Sequence, residues 1–323
     1  MADAFSVAMC TYNGARFIGE QLASIASQTT LPKELVVCDD LSTDDTVDIL
    51  NRFAANAPFP VRILVNTVNV GLIKNFERAI GLCSEAFIAL CDQDDVWMPP
   101  KLERLAAEFD RAPDVGLIFS DAELIDENSC VKGGSLWESI GISYDNGITP
   151  SQIRTFRELL SGSTVTGATS AFRSRFKSLV LPIPDDLALI HDGWLALTIG
   201  AVASISAISE PLIKYRQHGA QQIGARPRLK RAAGVARAVR RTNSYEETLA
   251  IARRLRQRLR DRHAFNTENA ARDLDARITH LETRAGLPQG RVDRIKSVLR
   301  EFFALRYHRY SNGTSSAIKD LLA

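Results

Sequence analysis

Five short apolar runs, each stopped by an acidic, hydroxyl or amide residue, constrain this chain more than any other feature of its sequence. Residues 5–10 (FSVAMC) stop at Thr11-Tyr12-Asn13-Gly14, residues 34–38 (ELVVC) at Asp39-Asp40, and residues 87–91 (FIALC) at Asp92. Residues 61–66 (VRILVN) and 115–120 (VGLIFS, before Asp121) have the same form. The intervening segments carry apolar residues at helical intervals, as with Ile18, Leu22 and Ile25, and Ser42 to Asp45 reads as the cap of a helix running to about Ala55. A strand without polar alternation is buried on both faces, as in a parallel sheet covered by helices. The expected fold is α/β: a Rossmann-like, mostly parallel sheet with helices on both faces. Ligands of such sheets bind beyond the carboxyl ends of the strands. Here independent strands deliver Thr11-Tyr12-Asn13, Asp39-Asp40, Asp92 to Asp95 and Asp121 to that one edge.

After about Asn128 the pattern changes. Residues 129–165 are mixed, 166–172 read as a loop entering a strand, 190–200 as a helix opening at Ile190-His191-Asp192-Gly193-Trp194, and 202–208 as a strand. From Arg226 the chain is Arg-rich with helical spacing, with one stripe at Leu249, Ala252, Leu255 and Leu259 and another at Leu274, Ile278 and Leu281. Charge divides at the same place. Residues 1–225 hold 17 Lys/Arg and 28 Asp/Glu, a net of −11, whereas 226–323 hold 23 and 10, a net of +13. The expected organisation is an α/β domain over 1–225, with halves 1–125 and 126–225, followed by a basic α-helical extension over 226–323. No apolar run approaches the roughly 18–20 residues that span a bilayer, and the first residues lack a basic leader segment. Cys10, Cys38, Cys83, Cys91 and Cys130 include no C-x-x-C pair and read as small core residues of a reducing compartment. A cytoplasmic protein is expected.

The segment CDQDDVWMPPKLE (residues 91–103) places three carboxylates within four residues, directly after an apolar strand. Their mutual repulsion is relieved by a cation, and hard divalent ions such as Mg²⁺ or Mn²⁺ take oxygen ligands. Such an ion offsets charge on a diphosphate leaving group. The alternative is a solvated acidic turn capping the helix that begins near Pro99.

Three segments together, AMCTYNGARFIGEQLASIASQT, LVVCDDLSTDDT and ALCDQDDVWMPPKL, resemble family 2 glycosyltransferases of the GT-A type. The likeness covers roughly residues 5–220, and the D-Q-D-D-x-W-x-P-x-K-L form with YRQHG downstream is similar to the rhamnosyltransferase-like branch. The resemblance implies a metal-dependent, inverting transfer from a nucleotide-diphosphate sugar to a hydroxyl of a glycan or lipid-linked saccharide, with dTDP-rhamnose or a UDP-sugar as donor and Mn²⁺ or Mg²⁺ as cofactor. It implies Thr11, Tyr12 and Asn13 beside the nucleotide, Asp40 on the base imide, Asp92 on the ribose or metal, and Asp94, supported by Asp95 and His218, as metal ligands. Arg216 and Gln217 would reach the diphosphate. Asp192, in HDGW, matches the general base, and His191 replaces the Glu found there in many members. Asp121, Gly167 and Trp194 are expected on the acceptor side, where Trp194 either stacks on a sugar or is buried; Asp39 is expected to be structural. A nucleotidyltransferase would carry a Gly-rich basic phosphate loop where this chain has TYNGAR, and a non-catalytic binding module would not need Asp192.

Between Arg226 and His263 stand thirteen Lys/Arg and three acids. These helices would lie on an anionic membrane surface, giving peripheral attachment at the inner face of the cell membrane, or pack as a solvated bundle. Nucleic acid is not an expected partner, because the α/β body is acidic and no nucleic-acid motif is present.

Overall fold

The computed structural model describes residues 4–140, 156–161, 165–219, 245–262, 264–311 and 313–322. Most of the Arg-rich stretch, residues 226–244, and residues 141–155 and 162–164 of the mixed region lie outside the described residues. The chain folds into two compact units. The first comprises residues 1–154, 164–185 and 190–231, and the second 155–163, 186–189 and 232–323.

Among the described residues the first unit is built on one nine-stranded sheet: with β1 (Phe5–Thr11), β2 (Glu34–Asp39), β3 (Val61–Val65), β4 (Phe87–Cys91), β5 (Val96–Trp97), β6 (Val115–Ile125), β7 (Val131–Ser135), β8 (Ser170–Arg173) and β9 (Ser204–Arg216), its order is β3-β2-β1-β4-β8-β6-β9-β5, with β7 added to β6. Strands β1 (Phe5–Thr11), β2 (Glu34–Asp39) and β4 (Phe87–Cys91) are buried at every position, and β3 (Val61–Val65) is the half-buried edge. These four run parallel. The register sets Thr11 beside Asp39 and Met9 beside Cys91. Tyr12, Asp40 and Asp92 therefore leave the sheet at its carboxyl edge, each just past the last paired position of its strand. Helices α1 (Ile18–Ala26), α2 (Thr46–Ala54), α3 (Leu72–Leu82) and α4 (Lys101–Arg111) connect the strands and carry the expected apolar faces. The fold is α/β, a mixed sheet with helices packed against it. Cys10, Cys38, Cys83 and Cys91 are buried and Cys130 is exposed.

The second half of the sheet departs from simple strand–helix alternation. The short β8 (Ser170–Arg173) inserts antiparallel between β4 and β6 (Val115–Ile125). Strand β6 does not stop at Asp121. It continues through an irregularity at Ser120–Ala122, pairs with β7 (Val131–Ser135), and runs parallel to β9. Strand β9 (Ser204–Arg216) is one 13-residue strand that carries Pro211 at that irregularity, where a missing N–H is tolerated. It ends against β5 (Val96–Trp97), which follows the acidic segment. Helices α5 (Leu136–Ile140), α7 (Lys177–Val180) and α8 (His191–Gly200) complete this unit.

The second unit holds α6 (Phe156–Ser161), α9 (Tyr245–Arg260), α10 (Glu268–Ala285), α11 (Arg291–Phe303), α12 (Arg306–Tyr310) and α13 (Thr314–Leu322). Ala252, Leu255 and Leu259 of α9 and Leu274 and Leu281 of α10 are buried along the expected stripes. Three arginines of α9 are held in ion pairs: Arg253 with Glu282, Arg254 with Asp186 and Arg256 with Asp275. A buried polar network ties the last helices together. His280 Nδ1 lies 2.8 Å from Glu301, Arg284 pairs with Asp320 through two nitrogens, and the Tyr307 hydroxyl donates to Asp320 at 2.7 Å. No described helix is long and apolar enough to cross a membrane.

The contact of β6 with α8 depends on Gly116. A Cβ there would lie 2.6 Å from Ile199 Cγ2 and 2.8 Å from the Ala203 Cβ. Gly116→Val is expected to cost about 1–3 kcal/mol through overpacking, read as a lower urea midpoint. Gly19→Ala in α1, where an added Cβ meets nothing within 4 Å, is expected to leave stability unchanged or raise it by up to about 1 kcal/mol, read as an equal or higher urea midpoint.

Candidate active site

The carboxyl ends of β1, β2 and β4 open into a cavity of about 720 Å³ that is closed on its far side by the start of α8. Nine of the residues singled out in the sequence line it: Thr11, Tyr12, Asn13, Asp40, Asp92, Asp94, Gly167, Asp192 and His218.

The loop after β1 is fixed by polar contacts. Thr11 Oγ1 donates to Asp39, which also accepts from the Ser42 amide and hydroxyl. Asp39 is fully buried and structural, as expected. The Asn13 amide donates to Ser42 Oγ, and Asn13 Oδ1 accepts from the Thr43 amide. Gln93 clamps Tyr12 from both sides, accepting from its N–H at 2.8 Å and donating to its carbonyl at 3.1 Å. A Cβ at Gly14 would collide with that Gln93 carboxamide. The Tyr12 side chain stays 41% exposed at the cavity, so it is not a core packing residue.

Asp40 has two tasks available to it. Its Oδ1 accepts from Asn66 Nδ2 and the Val70 amide, and its Oδ2 from the Gly71 amide, each at 2.8 Å. A carboxylate offers about four acceptor positions, so one remains for a ligand on the cavity side. The three bonds shape the loop into α3, where Gly71 takes φ +83°.

The acidic segment splits in direction. Asp94 faces the cavity, with Oδ2 2.9 Å from His218 Nε2. Asp95 turns inward and is 1% exposed; its Oδ1 accepts the Arg216 amide, and its Oδ2 has no hydrogen-bond partner among the described residues. The expectation that Asp95 supports a metal is therefore corrected to one of anchoring β9 beneath the site. Burial, then the Asp94 and Asp192 carboxylates, push Asp92 up to about 7 against the pull of Lys101. Lys101 is fully buried; it donates to the Ala168 carbonyl at 2.8 Å and lies 3.7 Å from the centre of the Trp97 ring. Burial pulls it down to about 7 while the surrounding acids oppose the shift.

Arg216 and Gln217 do not line the cavity. The Arg216 side chain is fully buried, donating to the carbonyls of Asp94 and Asp126, to Ser129 Oγ and to Glu20, with Phe17 stacked 4.8 Å away. Gln217 accepts from Lys132. Neither stands where a diphosphate would be gripped.

On the far side, residues 167–169 form a single 3₁₀ turn facing the start of α8. The Gly167 amide donates to Asp192 Oδ2 at 3.0 Å and the Gly193 amide to Oδ1 at 2.5 Å, so two backbone donors orient this carboxylate. A Cβ on Gly167 would come within 2.9 Å of His191 Nε2. The His191 ring stacks on Phe76 at 4.0 Å, burial lowers its pKa, and neither ring nitrogen has a hydrogen-bond partner among the described residues. Two acceptor-side expectations are corrected. Trp194 is fully buried, its indole N–H donating to the Val180 carbonyl, and presents no face to the cavity. Asp121 is 1% exposed in mid-strand and accepts from the amides of Ala122 and Trp137.

Asp94 and His218 set an oxygen and a nitrogen side by side at the cavity wall, donors that suit a divalent cation, and Asp92 lies within electrostatic reach of Asp94, Asp192 and the buried Lys101. Among the described residues no group of three or more His, Cys, Asp or Glu is placed to hold an ion by itself, so Asp94 and His218 would need ligand oxygens or water to complete a shell. Sequence reasoning missed Gln93 and Lys101. The first lies inside the acidic motif, and nothing in the sequence marks the second as buried.

The Glycosyl transferase family 2 model matches residues 6–176. An uncharacterized protein of Mycobacterium tuberculosis is 33% identical over 215 residues, 66% of this chain and 58% of that relative, so the chain spans less than two thirds of its length. The dTDP-rhamnosyl transferase RfbG of Shigella flexneri is 29% identical over 230 residues, covering 67% of this chain and 74% of RfbG. Among solved structures, S. aureus TarS 1–349 in complex with UDP-GlcNAc aligns with a TM-score of 0.60 at 18% identity, covering 98% of this chain and 89% of the other, a likeness of fold.

Asp40→Asn leaves an amide N–H₂ facing backbone donors. It is expected to lower stability by about 1–3 kcal/mol, the cost of an unsatisfied buried donor, measured by urea unfolding of the protein without ligand.

Proposed function

The chain belongs to glycosyl transferase family 2, and we propose that it transfers a sugar from a nucleoside-diphosphate donor to a hydroxyl of a glycan or lipid-linked saccharide, with inversion at the anomeric carbon. The observation that carries this reading is the sharing of one cavity by two chemistries: Tyr12, Asp40 and the Asp94–His218 pair on the sheet side, and Asp192 across from them on α8. Tyr12 flanks the base, Asp40 accepts its imide N–H, and Asp92 meets the ribose or the metal. This pairing suits uracil or thymine, and the donors named for relatives, a dTDP-rhamnosyl group and UDP-GlcNAc, are of that class. A Mn²⁺ or Mg²⁺ ion held by Asp94 and His218 would supply electrostatic stabilisation of the departing diphosphate.

The remaining chemistry belongs to the chain's own residues. Asp192, steered by the Gly167 and Gly193 amides, accepts the proton of the acceptor hydroxyl as that oxygen bonds to the anomeric carbon. The bond from that carbon to the phosphate oxygen breaks, and the nucleoside diphosphate leaves with the electron pair. One base suffices for a single displacement. Gly167 keeps the approach to Asp192 free of side chains.

Thermal-shift titration with UDP, dTDP and GDP, each with Mn²⁺ or EDTA, tests the donor side, since ligand bound to the native state raises the melting temperature. A shift with UDP or dTDP that requires metal and is lost in Asp94→Ala is expected; a folded protein shifted by no nucleotide overturns the reading. Asp192→Asn is expected to retain the nucleotide shift while transfer, followed by nucleoside diphosphate release, falls by about 10²–10⁴-fold.

A further inference from the structure

The C-terminal helices carry a surface that the transferase reading does not use. Helix α11 turns Val292, Ile295, Leu299 and Phe303 to solvent, with Phe303 77% exposed. Spacings of three, four and four residues set these side chains in one stripe along the helix. Helix α13 adds Ile318, Leu321 and Leu322, the last 83% exposed. Leu305, between α11 and α12, is 51% exposed and held at φ +57°. Scattered exposed apolar side chains are ordinary, whereas a run of large ones on one element marks an interaction surface.

The charges around the stripe identify what it meets. Residues 291–322 hold seven Lys/Arg and three Asp/Glu. Two of those acids face inward: Glu301 is bound to His280 and Arg306, and Asp320 to Arg284 and Tyr307. Only Asp293 presents a carboxylate to solvent, 3.6 Å from Lys296. Lys296 and Arg300 flank one side of the stripe, and both are exposed. The face is therefore apolar along its middle and basic at its border.

We propose that this face of α11 and α13 docks on an anionic lipid membrane, with the apolar stripe at the headgroup–acyl boundary and the flanking bases on acidic headgroups. A second copy of the same face is a poorer occupant, because two-fold pairing would bring like charges together. The surface differs from the Arg-rich stretch of residues 226–263, whose described part, α9, has three of its arginines in ion pairs. The inference does not depend on the transferase reading.

Sedimentation of the full chain with vesicles tests it, comparing phosphatidylcholine alone with phosphatidylcholine containing about one third phosphatidylglycerol. Binding to the anionic vesicles only, weakened by high salt, is expected. Combined Val292→Ser, Leu299→Ser and Phe303→Ser substitutions, and separately Lys296→Glu with Arg300→Glu, are each expected to weaken it about tenfold or more. All the substituted side chains are exposed, and an unchanged melting temperature and circular dichroism spectrum show that the variants remain folded. Equal binding to both vesicles, or binding that both variants retain, overturns the proposal. So does a dimer seen by light scattering that both variants dissociate, since a second copy would then cover the face. Failure of the transferase reading would appear in the nucleotide shift and not in the sedimentation.

Discussion

The site hangs on one buried guanidinium. Arg216 closes the long strand β9 and sends its donors to the Asp94 carbonyl, the Asp126 carbonyl, Ser129 and Glu20, while its own amide is taken by Asp95. A fully buried arginine is tolerated only when its donors find acceptors, and here those acceptors come from segments far apart in sequence. The same bonds that satisfy Arg216 fix the backbone of Asp94 and set His218, two residues onward, against it. Phe17 reinforces the arrangement, lying 4.6 Å from the His218 ring and 4.8 Å from the guanidinium. The cavity's paired nitrogen and oxygen are thus a by-product of how the interior beneath them is satisfied.

Electrostatics and packing then divide the labour. The sheet side gathers carboxylates faster than it supplies cations, leaving Lys101 as a buried counter-charge whose ammonium is itself disfavoured by desolvation. The α8 side is built from backbone amides, a glycine and a stacked imidazole. One half of the cavity gathers several carboxylates, and the other presents the single carboxylate of Asp192.

Much of this was legible in the sequence, and the limits have physical causes. β1, β2 and β4 could be read because burial on both faces leaves continuous apolar runs, and their shared edge followed from parallel topology. The four residues of β8 carry no signal of which strands they join, because that pairing is non-local. The strand expected over 202–208 belongs to the longer β9, which runs on through Pro211 opposite the irregularity at Asp121. The errors within the site have a common origin in direction. Motif proximity grouped Asp95 with Asp94, yet the chain bends at Gln93 and Asp94, and Asp95 turns inward to the Arg216 amide. Trp194 follows the cavity residue Asp192 by two positions and Asp121 lies within a strand of the same sheet, but their polar atoms are engaged by Val180, Ala122 and Trp137. Gln93 acts through the Tyr12 backbone, a role that residue type alone does not reveal.

The triple use of Asp40 constrains how a site of this kind can diverge. Its carboxylate holds the Asn66–Gly71 loop by three bonds before any ligand arrives, so a substitution that altered its reach into the cavity would loosen the entry to α3 as well. The opposite wall bears no such double duty: Gly167 and Gly193 contribute only peptide N–H groups to Asp192, and those survive changes in neighbouring side chains. Drift should therefore be quick at the wall by α8 and slow at the ends of β1 and β2. A lineage carrying this architecture would exchange one incoming hydroxyl compound for another far more readily than one nucleotide for another.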